Sequence, residues 1–321
     1  MFHWEKLGRV FEPAAIPSRP GWMHEYAQAP CALVLEDRVR IYFSCRPPRE
    51  PDGQVVSHTA FVELDRGLQR VVGLADRPIL ELGGLGCFDQ FGIYPTSVIE
   101  DGDEVLAYYA GHTRCESVPF DTAIGLAVSR DGGITFTREG PGPVLARSLR
   151  EPFVLSGPKI RRFGGGYQLF YITGTRWFEH QGRMEVVYRI RMATSTDGRA
   201  WQRTERDLLP ERLGAFEVQS SPDVFFANGR YHMFFGYMRT PEFRQDPRKG
   251  YRIGYAVSDD LVRWERLDER AGIGPSAAGF DDQTVSYPHL FALDGATYML
   301  YLGNEVGRFG FGLARLEGEL R

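Results

Sequence analysis

SPDVFFANGRYHMFFGYMR, residues 221–239, is the stretch that decides the fold. A proline opens a short apolar run, Asn228-Gly229 follows, and an aromatic-rich run returns. Asn-Gly between apolar runs is a strong hairpin signal, because both central residues of a type I′ turn need positive φ. Pro222 suits the first residue of a strand, where its missing N–H costs no ladder bond.

The same phrase recurs from Ala29 (APCALVLEDRVRIYFSCR), Tyr94 (YPTSVIEDGDEVLAYYAGH), Gly157 (GPKIRRFGGGYQLFYITGTR) and Tyr287 (YPHLFALDGATYMLYLGNE). Its prolines, Pro30, Pro95, Pro158, Pro222 and Pro288, are 65, 63, 64 and 66 residues apart. A second pair of strands follows in most units: IGLAVSRDGGITF from Ile124, IRMATSTDGRAW from Ile190 and IGYAVSDDLVRW from Ile253. Four-stranded units repeated radially are propeller blades. The expectation is an all-β chain, residues 1–321 forming a single five-bladed β-propeller of four-stranded antiparallel blades.

The chain ends test that expectation. Large apolar residues mark the fourth strand at Phe136, Trp201 and Trp264, with Leu68 in the first unit. The last unit has none, but the N-terminal WEKLGRVFEP resembles WERLDERAG and WQRTERDLLP, and Trp4 lies 64 residues before Leu68. The N-terminal strand is expected to close the last blade and protect its edge.

A net charge of −4 leaves no basic face for nucleic acid. No apolar run nears the roughly 18 residues that span a membrane. The N-terminus lacks a signal-peptide core, so a cytoplasmic location is the default expectation. Cys31, Cys45, Cys87 and Cys115 match no zinc spacing, and Cys31 and Cys45 read as buried thiols. No Walker loop, GxGxxG or HExxH motif occurs, so neither a cofactor nor a metal is expected. The oligomeric state is not legible.

The meander assigns two faces. Turns such as those at Asp101, Asp131, Asp197 and Asp294 lie on one face, where acids are turn formers. Residues just before each proline and just after each second strand share the other face, around the axis. Polar groups gather there. Asp89 and Asp282 each stand six residues before a proline, and Glu25 and Glu217 each five. His24, Gln28, Lys159, Asp223 and His289 lie near the prolines, and Arg46, His112, Arg176, Arg239 and Asn304 follow the second strands. A ring of charges is costly unless it pairs internally or binds something.

The repeated proline–apolar–turn–aromatic phrase, with SxDGxxW as in STDGRAW from Ser195, resembles the five-bladed propeller glycosidases and glycoside phosphorylases of families 43, 32, 68, 117 and 130. The resemblance spans the whole chain and implies a carbohydrate-active protein. The family patterns depart at the acids. Ala29 stands where family 43 carries its base Asp, and Ser156, Ser220 and Ser286 stand where its acid Glu is sought. WMHEYAQAP from Trp22 keeps only two residues of the family 32 WMNDPNG segment, and REP at Arg150 loosely echoes RDP.

The leading expectation is cleavage of a glycosidic bond in an oligosaccharide or glycoconjugate by paired carboxylates. Glu217 is the expected acid, its pKa raised by its surroundings. Asp89 or Glu25 is the expected base or nucleophile, and Asp282 the group that tunes them. His24, Gln28, Arg46, His112, Lys159, Arg176, Asp223, Arg239, His289 and Asn304 are the expected substrate-binding residues. One alternative is a glycoside phosphorylase holding phosphate on the arginines, Lys159 and the histidines. Another is a glycan-binding or glycan-assembly propeller without catalysis.

Overall fold

The computed structural model describes residues 1–49, 51 and 54–321. Strand β1 (His3–Phe11) comes first. Blade one holds β2 (Glu25–Val34), β3 (Arg38–Arg46), β4 (His58–Asp65) and β5 (Val71–Leu74). Blade two holds β6 (Ile93–Asp101), β7 (Glu104–Arg114), β8 (Phe120–Ser129) and β9 (Thr137–Arg138). Blade three holds β10 (Leu155–Phe163), β11 (Gly166–His180), β12 (Arg183–Ser195) and β13 (Gln202–Arg203). Blade four holds β14 (Glu217–Ala227), β15 (Arg230–Arg239), β16 (Arg252–Ser258) and β17 (Glu265–Arg266). Blade five holds β18 (Ser286–Leu293), β19 (Ala296–Leu302), β20 (Phe311–Glu317) and, at its outer edge, β1. The protein is therefore a five-bladed β-propeller with antiparallel four-stranded blades.

The hairpin turns form as the sequence dictates. Asn228 and Gly229 adopt φ of 48° and 77°, the paired left-handed geometry of a type I′ turn. Apolar side chains pack between neighbouring blades. Tyr42 of blade one donates its hydroxyl to the Gly133 carbonyl of blade two at 2.7 Å, and Tyr108 of blade two donates to Gly198 of blade three at 2.5 Å. Each tyrosine thus fixes its blade to the DG-type turn of the next.

Every innermost strand breaks register at its proline, between Gln28 and Cys31, Ile93 and Thr96, Ser156 and Lys159, Ser220 and Asp223, and Ser286 and His289. Bulges of this kind re-aim side chains. Ala29, Ser221 and Tyr287 adopt left-handed φ of 51°, 47° and 52° there, a conformation that costs non-glycine residues energy.

Ring closure rests on β1. It pairs with β20 from His3↔Glu317 to Phe11↔Phe311. Trp4 is buried, packs edge-on against Phe234 of blade four at 5.6 Å, and donates its indole N–H to Ala271 at 3.0 Å. Replacing Trp4 with Ala is expected to cost about 3 to 5 kcal/mol. Urea unfolding followed by intrinsic fluorescence measures that loss; an unchanged midpoint would argue against closure by β1.

Candidate ligand site at the channel mouth

The acids near the axis divide into two sets, and the larger set is structural. Asp89 is fully buried; its Oδ2 accepts from Arg138 Nε at 2.8 Å and from the Tyr109 hydroxyl at 3.1 Å. Glu151 repeats this in blade three, taking the Tyr171 hydroxyl at 2.7 Å and pairing with Arg203. Asp281 repeats it in blade five with the Tyr301 hydroxyl at 3.0 Å and Lys6 at 2.5 Å. Glu217 pairs with Arg266 at 2.6 Å, both side chains fully buried. Each acid lies at or ahead of the start of the innermost strand and each cation lies on the outermost, so the ion pair spans the blade and locks it. Lys6 belongs to β1, so the blade-five lock also seals the ring.

Among the described residues blade one lacks the lock. Met23 stands seven residues before Pro30, as Glu151 and Asp281 stand before Pro158 and Pro288. It is fully buried, with Phe43 in the same apolar cluster.

Each of the four expected catalytic acids has a polar partner in the structure. Glu217, the expected acid, is held ionised. Burial does push its carboxyl up, but the Arg266 guanidinium, the Gln219 amide and the N–H groups of Arg212 and Leu213 outweigh it and hold the pKa below its ordinary value. Asp89 is committed to Arg138 and Tyr109. Asp282 is not the partner of Asp89 in register, because that role falls to Asp281; Asp282 accepts from the Asn304 amide at 2.7 Å. Glu25 pairs with Arg308 at 3.4 Å. None of the four lines the cavity described next. The signal for the locks was present in the sequence: the cation follows the fourth-strand aromatic by two residues in FTR (136–138), WQR (201–203), WER (264–266) and WEK (4–6).

A cavity of about 780 Å³ opens at the channel mouth and takes lining residues from all five blades. That volume suits a small organic ligand. It exists because some hairpins overshoot their blades. The β11–β12 hairpin runs to the pair His180↔Arg183 and brings Trp177, Glu185 and Tyr188 to the wall. The β7–β8 hairpin runs to Arg114↔Phe120 and brings Phe120, whose ring meets Trp177 edge-on at 5.5 Å. Tyr26, Tyr94, Tyr251 and Tyr287 complete an aromatic lining. The Tyr94 and Tyr287 hydroxyls bond to each other at 2.5 Å.

Of the expected binding residues, Gln28 and Arg46 line this cavity. His112 supports it from behind: its Nε2–H donates to the Tyr94 carbonyl at 2.9 Å, its ring packs against Phe120, and burial lowers its pKa. Asn304 accepts from the Gln283 and Thr284 N–H groups at 2.9 and 3.2 Å, positioning two lining residues.

The remaining candidates lie elsewhere. His24 is exposed. Arg176 stacks on Phe216 and donates to the Ala215 carbonyl, and Arg239 is exposed and paired with Glu242. Lys159, Asp223 and His289 follow their prolines along the innermost strands and form a buried axial plug. Lys159 Nζ lies 3.1 Å from His289 Nδ1, while Asp223 takes Arg161 at 2.7 Å on each oxygen. Burial holds His289 well below its ordinary pKa and also lowers Lys159. Among the described residues no group of three metal-ligating side chains forms. Cys31 and Cys45 are buried free thiols, as the sequence suggested. No helix is long and apolar enough to cross a membrane among the described residues.

The fold is that of the propeller glycosidases and glycoside phosphorylases, and this protein is a divergent example of it. A solved glycoside hydrolase superposes with a TM-score of 0.75 over 99% of this chain and 92% of its own, at 18% identity. A thermostable family-43 glycoside hydrolase gives 0.64 over 94% and 90%, at 16% identity. A member of the GH130 family of mannoside phosphorylases, which contains glycoside hydrolases that target β-1,2 mannosidic linkages in Candida mannan, gives 0.70 over 98% and 94%, at 14% identity.

In sequence, Uncharacterized protein Rv1502 and Uncharacterized protein MT1551, both of Mycobacterium tuberculosis, are each 34% identical over 316 residues, 98% of this chain and 99% of theirs. This protein belongs to the family of those two. No protein-family model matches it.

The locks and turns carry consequences for stability. Glu217→Gln removes one of the two carboxylates that hold the fully buried Arg266, leaving Asp268 at 2.9 Å, and is expected to cost about 1.5 to 3 kcal/mol. Chemical denaturation checks this, and a cost below about 1 kcal/mol, the scale of an exposed pair, would contradict the lock.

Stability should also fall with pH in two stages. Asp131 and Asp197 are held at about 2, the first against its own burial by Ser129 and Thr135, the second by the Ala200 and Arg199 N–H groups. A carboxylate with a depressed folded pKa contributes stability above its unfolded value, near 4, and loses it as pH falls toward about 2. His289, neutral when folded, disfavours folding once the unfolded imidazole protonates below about 6.5. Urea midpoints between pH 2 and 8 are expected to decline below about 6.5 and more steeply below about 4. A midpoint that rises on acidification contradicts both assignments.

Proposed function

We propose that the mouth cavity binds a carbohydrate, an oligosaccharide or the glycan of a glycoconjugate, and that the protein acts first as a glycan-recognising propeller. The carrying observation is the cavity itself: about 780 Å³, built by five blades, walled by Trp177, Phe120 and tyrosines, with Gln28 and Arg46 in its lining. The apolar face of a sugar ring packs on aromatic walls while its hydroxyls bond the phenols and amides. The likeness in fold to carbohydrate-active propellers supports the reading by analogy.

Catalysis by the inner carboxylates is not favoured, because the blade locks consume them. Glycosidic cleavage needs two carboxyl groups facing the ligand, about 5 to 9.5 Å apart. The acids that line the cavity are Glu185 and Glu305. Glu185, 8% exposed, favours a second reading in which it is the proton donor of a glycoside-cleaving site. Phosphorolysis is the variant in which phosphate replaces water.

Trp177→Ala is expected to weaken oligosaccharide binding, read by calorimetry on the full-length protein, by at least about tenfold without changing stability by more than about 1 kcal/mol. Binding that survives the change unaltered removes the cavity from consideration. Incubating a bound glycan with and without phosphate, with Glu185→Gln as control, separates the readings. Turnover lost in Glu185→Gln favours cleavage, and an intact glycan favours recognition alone.

A further inference from the structure

Buried and half-buried arginines in this molecule are paired with great regularity. Arg40 meets Glu63, Arg138 meets Asp89, Arg161 meets Asp223, Arg203 meets Glu151 and Arg266 meets Glu217. Arg46 is different. It is half-buried at the cavity wall, and its guanidinium makes no hydrogen bond or ion pair with any described residue. Its Nε is shielded from solvent and has no acceptor. Neither lining acid pairs with it, and Glu305 is taken by Arg308 at 2.9 Å. The guanidinium carbon lies 4.3 Å from the centre of the Tyr26 ring, a cation–π contact.

A second polar group in the same wall is also unfinished. Gln28 is 3% exposed and lines the same cavity. Its Nε2 donates to the Val306 carbonyl at 2.8 Å, which fixes the amide orientation and leaves Oε1 buried with no partner. Gln28 and Arg46 sit on the adjacent strands β2 and β3. The site therefore offers one acceptor that needs a hydroxyl and up to five guanidinium donors that need an anion. Leaving such groups unpaired costs free energy that a complementary ligand recovers.

From this juxtaposition we infer that the glycan bound at the mouth is acidic, and that its carboxylate or phosphate sits against Arg46 with a neighbouring sugar hydroxyl on Gln28 Oε1. The inference rests on the carbohydrate-site reading above and adds the charge of the ligand to it. Planar guanidinium binds either oxyanion through paired charge-assisted bonds, so the shared chemistry is an anionic substituent on a sugar ring. Arg46 is a binding group here and takes no part in a bond-breaking step.

The test uses the full-length protein and matched ligands. Methyl glucoside, methyl glucuronoside and glucose 6-phosphate are titrated, with Trp177 fluorescence as the readout of cavity occupancy. At least one anionic ligand is expected to bind about tenfold or more tighter than the neutral glucoside, with the gap narrowing as salt rises. The two anionic arms separate a carboxylate from a phosphate. Arg46→Met, checked by its unfolding midpoint, is expected to abolish the preference for the anionic ligand, and Arg46→Lys to restore part of it. Equal affinity for neutral and anionic ligands in the wild type, or a preference that persists in Arg46→Met, overturns the inference but leaves the carbohydrate site standing. Absence of any Trp177 response to every sugar overturns the site reading itself.

Discussion

The structure depends on one interaction repeated around the axis: a buried acid at or ahead of the start of the innermost strand, bonded to a cation on the outermost strand of the same blade. Asp89–Arg138, Glu151–Arg203, Glu217–Arg266 and Asp281–Lys6 each bridge a full blade. A blade whose fourth strand is only two residues long, as β9, β13 and β17 are, has few ladder bonds to hold that strand. The ion pair supplies what the short ladder cannot. In blade five the cation arrives on β1, so the same chemistry joins the two ends of the propeller. Buried pairs are poor sources of net stability but are expensive to break singly, which makes them devices of geometry.

That constraint shapes the site. Once the inner acids are committed to cations across their blades, the mouth is left with phenols, an indole, an amide and a guanidinium. The overshooting β7–β8 and β11–β12 hairpins raise its walls, and register breaks of the innermost strands fall at Tyr26, Tyr94 and Tyr287, which line it. The fold matches that of carbohydrate-active propellers, and the groups left at the mouth are the ones the proposed recognition of a glycan would use.

The architecture was legible because it is written in repeats. Five prolines at near-equal spacing, turn pairs such as Asn228-Gly229 and the displaced Trp4 together carry the blade count, strand order and closure. The site was legible only in outline. The face was evident from the meander, and Gln28 and Arg46 line its cavity. The roles of Asp89 and Glu217 were not evident, since a carboxylate near an axis reads alike whether or not an arginine lies across the blade. Register also failed locally. The loop ahead of the innermost strand is one residue longer in blade five, with Asp281 five residues before Ser286 and Asp89 four before Ile93, so counting aligned Asp282 with Asp89 where the fold aligns Asp281. Tyr188 and Glu185 escaped assignment because they sit beyond the regular blade, on a hairpin whose length no repeat dictates.

The central claim is that the ligand site is the aromatic mouth, with the inner carboxylates acting as locks. A crystal structure of the protein with a bound oligosaccharide tests it most directly. The account predicts a sugar ring against Trp177 and Tyr26, with Asp89–Arg138 and Glu217–Arg266 intact beneath it. A sugar held by Asp89 or Glu217, with either lock opened, would contradict it.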